Sequence, residues 1–318
     1  HEGRETVSVA PGHSDIMPQV TLRASRWRGA PSARWSGWLF VLPALLAYSG
    51  FVLLPIILTV QYSTLRWNGI GDSEFVGLDN YVRVLTDPDL VGIILNAFKL
   101  VFFFTVIPVT LGLIVASLIQ RVATGPLGTV ARTVLFLPQV IPLVAAGLVW
   151  RWMLSTNGVI NQALTAVGLE SVARPWLADF TLALPAVGVI GVWVLLGLCT
   201  ILLLTGMSKI DQSLYESARI DGASAWQEFR SITVPSLRYE IGVCVTVTII
   251  ASLAAFDIVY ISTLGGPGTA TTVPGLEIYR LAFFGRQVGL ASALAVVLIV
   301  LVLVAVLPIQ RMTREESR

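Results

Sequence analysis

Charge is what this chain is short of. Only 13% of its 318 residues are Asp, Glu, Lys or Arg, about half the share of a soluble domain. That deficit excludes an ordinary soluble globule. A net charge of +2 is too small to argue for nucleic acid as a partner. Histidine occurs twice, as His1 and His13 near the N-terminus, and cysteine twice, as Cys199 and Cys244 inside apolar blocks. No metal site can be assembled from that inventory, and the cysteines read as small packing residues. There is no G-x-x-x-x-G-K-[ST] phosphate loop; the Gly-rich stretch Gly265–Thr269 lacks the lysine. A nucleophile beside a base is also missing. The chain is therefore expected to carry no cofactor or metal of its own and not to be an enzyme.

What it has in abundance is apolar residues, 55% of the total, grouped in long blocks. A bilayer crossing takes roughly 20 mostly apolar residues. Six blocks qualify: Trp38–Val60, Leu100–Ile119, Thr133–Trp150, Thr181–Met207, Ile241–Ser262 and Val288–Ile309. Backbone groups cannot stay unpaired in lipid, so these are predicted helices, and their continuous apolar character excludes an alternating barrel strand. The expected fold is an all-α membrane protein with six transmembrane helices. Residues 1–34, rich in Gly, Pro, Ser and Arg without an apolar run, read as a mobile arm. Residues 35–309 read as the membrane domain and 310–318 as a tail. With the N-terminus inside, Lys and Arg divide 14 inside to 7 outside; the positive-inside rule selects that orientation, with both termini cytoplasmic. Arginine outnumbers lysine 19 to 2, in keeping with a GC-rich bacterial source.

The one charged, amphipathic interruption facing the cytoplasm spans residues 208–236. Asp211 stands as an N-cap ahead of a helix-forming run. Gly222 falls where a helix-ending glycine belongs. Ser224-Ala225-Trp226-Gln227 fits the S-x-x-Q box that opens a second helix. Trp226 and Phe229, three apart, share a face. Pro235 ends the irregular stretch before the next span. Leu214, Tyr215, Ala218, Trp226 and Phe229 would then offer an apolar surface outside the membrane, with Glu216 beside it. The alternative is a pair of helices lying on the lipid interface.

The residues of this segment resemble the EAA signature of ABC-importer permeases, E-A-A-x3-G-x9-I-x-L-P. Glu216, Ala218, Gly222, Ile232 and Pro235 match; Ser217 and Val234 are mild departures. Phe75–Tyr81, Leu137-Pro138-Gln139, Gly158–Asn161, Phe256–Tyr260 and Gly265-Gly266-Pro267 are similar to the carbohydrate permeases of maltose and glycerol-3-phosphate type, the first of them to the first permease of such systems. The resemblance implies a type I importer permease in the bacterial inner membrane, working with a second permease, two ATPase subunits that bind ATP and Mg, and an extracytoplasmic solute-binding protein. It implies that Glu216, Ala218, Gly222, Ala223, Trp226 and Phe229 form the coupling segment, with Glu216 reaching a basic residue of the ATPase.

Substrate-pathway candidates come from the spans. Asp257 is the carboxylate expected inside one, and such residues face cavities or partners. With Phe256 and Tyr260 it makes an aromatic–carboxylate set suited to a sugar. A structural role, orienting the Gly265–Thr269 loop or pairing with a partner permease, is the favoured alternative. Trp193, Gln139 and Asn161 are weaker candidates. A self-contained secondary transporter or channel would favour paired ionisable residues or inverted repeats, of which the sequence has neither in clear form.

Overall fold

The computed structural model describes residues 33–122 and 125–315. Of the expected arm only residues 33 and 34 fall within them, and positions 316–318 of the expected tail lie outside. The chain divides after Leu53 into two compact units. The first carries α1, Ala33–Tyr48, followed by a π-turn at Ser49–Leu53. Its described side chains from Trp38 onward are all exposed.

The second unit opens with α2, Leu54–Ser63, and a short antiparallel hairpin of β1, Leu65–Arg66, and β2, Glu74–Phe75, in register Leu65↔Phe75. Next come α3, Asp79–Thr86, and α4, Pro88–Val101. Asp87 starts α4 by accepting the Asp89 N–H at 3.0 Å, while Pro88 occupies a first-turn position that needs no donor. A π-turn at Phe102–Val106 leads into α5, Ile107–Val122. Together these make one 34-residue helix, Pro88–Arg121. The expected second span thus begins twelve residues before Leu100. Leu90, Ile93, Ala97 and Leu100 recur at helical spacing and are buried, so this extra length is held by packing rather than by lipid.

Then follow α6, Pro126–Val140; α7, Leu143–Met153; α8, Val159–Ala166; and α9, Ala183–Met207. The expected third span, Thr133–Trp150, is corrected here. Pro142 forces Ile141 into extended backbone (φ −74°, ψ 128°), and α6 and α7 meet at 97°. Past α9 lie α10, Gln212–Ile220; α11, Ala225–Glu228; a π-turn, Phe229–Thr233; and α12, Val234–Ser236. Pro235 lies inside this helical stretch rather than ending it; the turn into α13, Arg238–Leu253, is a 70° bend. The expected fifth span, Ile241–Ser262, is also broken: α13 stops at Leu253, and Asp257–Thr263 is a separate short helix, α14, packed against α7. Last are α15, Pro274–Phe283, and α16, Val288–Glu315. Among the described residues, four helices are long and apolar enough to cross a membrane, or up to six if each bent pair is one span.

Glycine decides how closely these helices approach. On α9, a Cβ at Gly191 would stand 1.9 Å from the Phe104 ring, and one at Gly188 2.4 Å from Phe103. The two phenylalanines seat the middle of the Pro88–Arg121 helix against α9. Cys199 and Cys244 are buried among Leu203, Met207 and Leu237, as packing residues.

Candidate functional site

The charged interruption folds as two short helices around a glycine turn. Asp211 caps α10 by accepting the Ser213 N–H at 3.0 Å, which holds its carboxyl below the usual range. At the other end, the Gly222 N–H reaches Arg219 O at 3.1 Å and the Ala223 N–H reaches Ala218 O at 2.9 Å. Those two bonds are a Schellman closure. Gly222 has φ +79°, a left-handed value that glycine adopts without Cβ strain. Three of the six expected coupling residues, Ala218, Gly222 and Ala223, therefore build one turn. The Ser224 box is present in both directions: Ser224 N–H to Gln227 Oε1 at 2.7 Å, and Gln227 N–H to Ser224 Oγ at 3.4 Å. Trp226 and Phe229 stack with ring centroids 5.5 Å apart.

The exposed face differs from the expected one. Tyr215 is buried, its hydroxyl 3.0 Å from Thr233 Oγ1, and Ala218 and Phe229 are half-buried. Their helical face meets the rest of the protein, not solvent. The apolar side chains that stand free are Leu214, Ile220 at 87% exposure and Trp226 at 67%. Glu216 is exposed beside them.

The carboxylate that sequence reasoning missed is Glu228. Only 3% of its side chain is exposed, and it bridges two arginines: Arg219 Nε to Oε1 at 2.9 Å and Arg121 Nη2 to Oε2 at 2.7 Å. Arg121 also donates to Ala225 O at 3.3 Å. The Arg219 hydrogen bond chiefly holds the Glu228 carboxyl below the usual range, against the opposing pull of burial. No local signal marked Glu228, because Arg121 lies 107 positions away in sequence. Behind the clamp is a polar cavity of about 460 Å³, lined among others by Ser117, Gln120, Tyr215 and Thr233.

The substrate-pathway candidates fall in two places. Phe256 and Tyr260 stack at 5.2 Å, and both meet Tyr279, which extends the cluster to Phe283 and Phe284. Tyr260, Tyr279 and Phe284 line a cavity of about 650 Å³ together with Glu277 and Arg280; burial raises the Glu277 carboxyl, with Arg280 opposing. Asp257 is not inside a long helix. It sits exposed in the first turn of α14 and, with Phe256, edges a second cavity of about 190 Å³ toward Phe104, Gly191 and Val194. Among the described residues Asp257 has no hydrogen-bonding or ionic partner, so it does not orient the Gly265–Thr269 loop. That loop is held by Asn96, whose Nδ2 donates to Thr269 O, Ala270 O and Thr272 O at 3.1–3.3 Å, and by Arg280, which donates to Leu264 O and Thr272 Oγ1. Trp193 packs edge-on against Trp150. Gln139 is half-buried with its Oε1 unpartnered. Asn161 is occupied structurally: it donates to Ser155, Thr156 and Arg174 carbonyls and accepts Trp176 Nε1–H at 2.8 Å. Among the described residues no three His, Cys, Asp or Glu side chains gather as a metal site.

A family model described as "Binding-protein-dependent transport system inner membrane component" matches residues 108–312. The probable ABC transporter permease protein YurN of Bacillus subtilis is 34% identical over 268 residues, covering 84% of this chain and 91% of the relative. The lactose transport system permease protein LacF of Rhizobium radiobacter is 33% identical, covering 85% and 91%. A chain of the bacterial alginate ABC transporter, solved in complex with an alginate pentasaccharide-bound periplasmic protein, superposes with a TM-score of 0.76 at 25% identity, covering 90% of this chain and 96% of that one.

Proposed function

From the premise that this chain belongs to the family of binding-protein-dependent transport system inner membrane components, and so is an ABC-importer permease, we propose that it forms half of a translocation pathway for a carbohydrate. The relatives named for lactose and alginate support that substrate class. The remaining subunits would be a second permease and two ATPases that bind ATP and Mg, with an extracytoplasmic binding protein delivering solute. The membrane would be a bacterial inner membrane with both termini of the chain in the cytoplasm, as the distribution of arginine favours.

One observation carries the ATPase assignment. Outside the apolar spans, a doubly capped helix–glycine–helix element leaves Leu214, Ile220 and Trp226 bare beside the exposed Glu216. Helical interface elements with a charged side chain next to an aromatic suit a socketed protein contact. Glu216 would pair with a basic residue of the ATPase, while Trp226, backed by the stacked Phe229, fills the groove and the Ala218–Gly222–Ala223 closure keeps the two helices at a fixed angle. ATP-driven closure of the ATPases then moves this element, and the permeases rock as bodies between inward- and outward-open states.

Purification of the assembled importer tests the reading. Glu216→Lys is expected to strip the ATPase from the complex and abolish ATP-dependent sugar uptake in vesicles, with the two permeases still paired. Uptake driven by an ion gradient without ATP would instead favour a secondary transporter.

A further inference from the structure

The Pro88–Arg121 helix is tied at both ends to elements far from it in sequence. At one end Arg121 enters the Glu228 clamp, which also holds Arg219 and so joins α10 and α11 to α5. At the other end Asn96 gathers three carbonyls of the 265–272 loop. The 25 positions between Asn96 and Arg121 span about 37 Å of helix. Between them, Phe103 and Phe104 lie on Gly188 and Gly191 with no space for another carbon, and α5 packs along α9. A helix seated so closely cannot slide past its neighbour, because interdigitated side chains leave no free volume. Displacement of one end must therefore appear at the other as a tilt. The loop gripped by Asn96 is bonded in turn through Thr272 Oγ1 to Arg280, which lines the aromatic cavity of Tyr260, Tyr279 and Phe284.

We propose that this helix is the transmission rod of the importer, with Glu228 and Asn96 as positioning residues at its two ends: motion of the ATPase-docking element passes through the Glu228–Arg121 bond to the 265–272 loop and the aromatic cavity beside it. The inference rests on the permease reading above. Two buried, fully engaged polar side chains at the two ends of one helix are the kind of connection that can bias a two-state element from both sides.

The test uses the whole importer in vesicles, reading sugar taken up per ATP hydrolysed. Glu228→Gln and Asn96→Leu are each expected to lower that ratio about tenfold, and the double variant no further than the worse single one, since residues acting through one element are non-additive. Glu228→Asp should recover most of it. Losses that multiply in the double variant, or uptake and hydrolysis falling in equal proportion in Glu228→Gln, overturn the rod. Should Asn96→Leu fail to accumulate, spin labels at exposed Gln212 and Thr269 give a second measurement, as Cys199 and Cys244 are buried. ATP should change their distance by different amounts in the wild type and in Glu228→Gln, where α10 still moves with the ATPase but the loop no longer follows; an equal change in both overturns the proposal. A wild-type complex with no ATP-dependent uptake would refute the permease reading itself, a result separate from either of these.

Discussion

Glu228 and Glu216 are twelve residues apart on one surface element, yet their environments separate their roles. Glu216 is exposed, where an ion pair within the chain would contribute little, so its charge is free for another protein. Glu228 is enclosed by two guanidinium groups, and removing a buried, doubly bonded carboxylate leaves unpaired charge behind. Because its carboxyl is held below the usual 4.5 in the folded protein, its stabilisation is fully present above that ordinary value. It is lost as pH falls through the lower folded value. We expect the purified subunit to melt lower in Glu228→Gln, by the equivalent of about 2 kcal/mol, between pH 5 and 8. The gap should begin to narrow below about pH 4.5 and close only as the pH falls through the lower folded value, where the wild-type carboxylate takes up its proton. Parallel melting curves across that whole range would rule out the clamp as a source of stability.

Among the elements, α9 shows how a helix with apolar residues on every side still has a defined partner on each face. Its glycines at 188 and 191 receive Phe103 and Phe104, and Gly197 leaves 1.9 Å between a hypothetical Cβ and the Leu135 carbonyl of α6. Small residues at helix contacts in membranes act this way, letting backbones approach where lipid supplies no hydrophobic drive. Gly191→Val should cost about 1–3 kcal/mol through overpacking and separate the Pro88–Arg121 helix from α9, read as loss of folded protein in detergent. Phe104→Ala in the same background should relieve part of that cost. A thermal midpoint unchanged in Gly191→Val would contradict the contact. The α10–α11 element, by comparison, was legible almost in full. Asp211, Gly222 and the Ser224–Gln227 box act on backbone within a few residues of themselves, so local sequence suffices to place them.

For the molecule as a whole, Phe256 links the aromatic cluster to the Asp257 cavity: it stacks on Tyr260 and lines that cavity beside Asp257. Asp257 stands exposed at a short helix start with no partner in the described structure, which leaves its carboxylate free for hydroxyl donors. Asp257→Asn is expected to lower sugar uptake at least several-fold without changing the amount of assembled importer; equal uptake at equal assembly would remove Asp257 from the pathway.

Composition by itself determined that this is a helical membrane protein, and fixed spacings located the helix–glycine–helix element proposed for docking, because burial in lipid and capping are demands met within one segment. Proline illustrates the limit. Pro43 and Pro308 sit inside α1 and α16, whereas Pro142 breaks a span through 97°. The residue type is the same; α14 packed on α7 makes the bent arrangement stable. Tyr215 and Phe229 turned from expected surface to buried or half-buried for a similar reason, since the element's orientation is set by what it leans on. Tertiary structure alone decided that Glu228, rather than the signature glutamate, is the carboxylate locked into the fold. Its partner Arg121 reaches it only when a 34-residue helix ends beside α11.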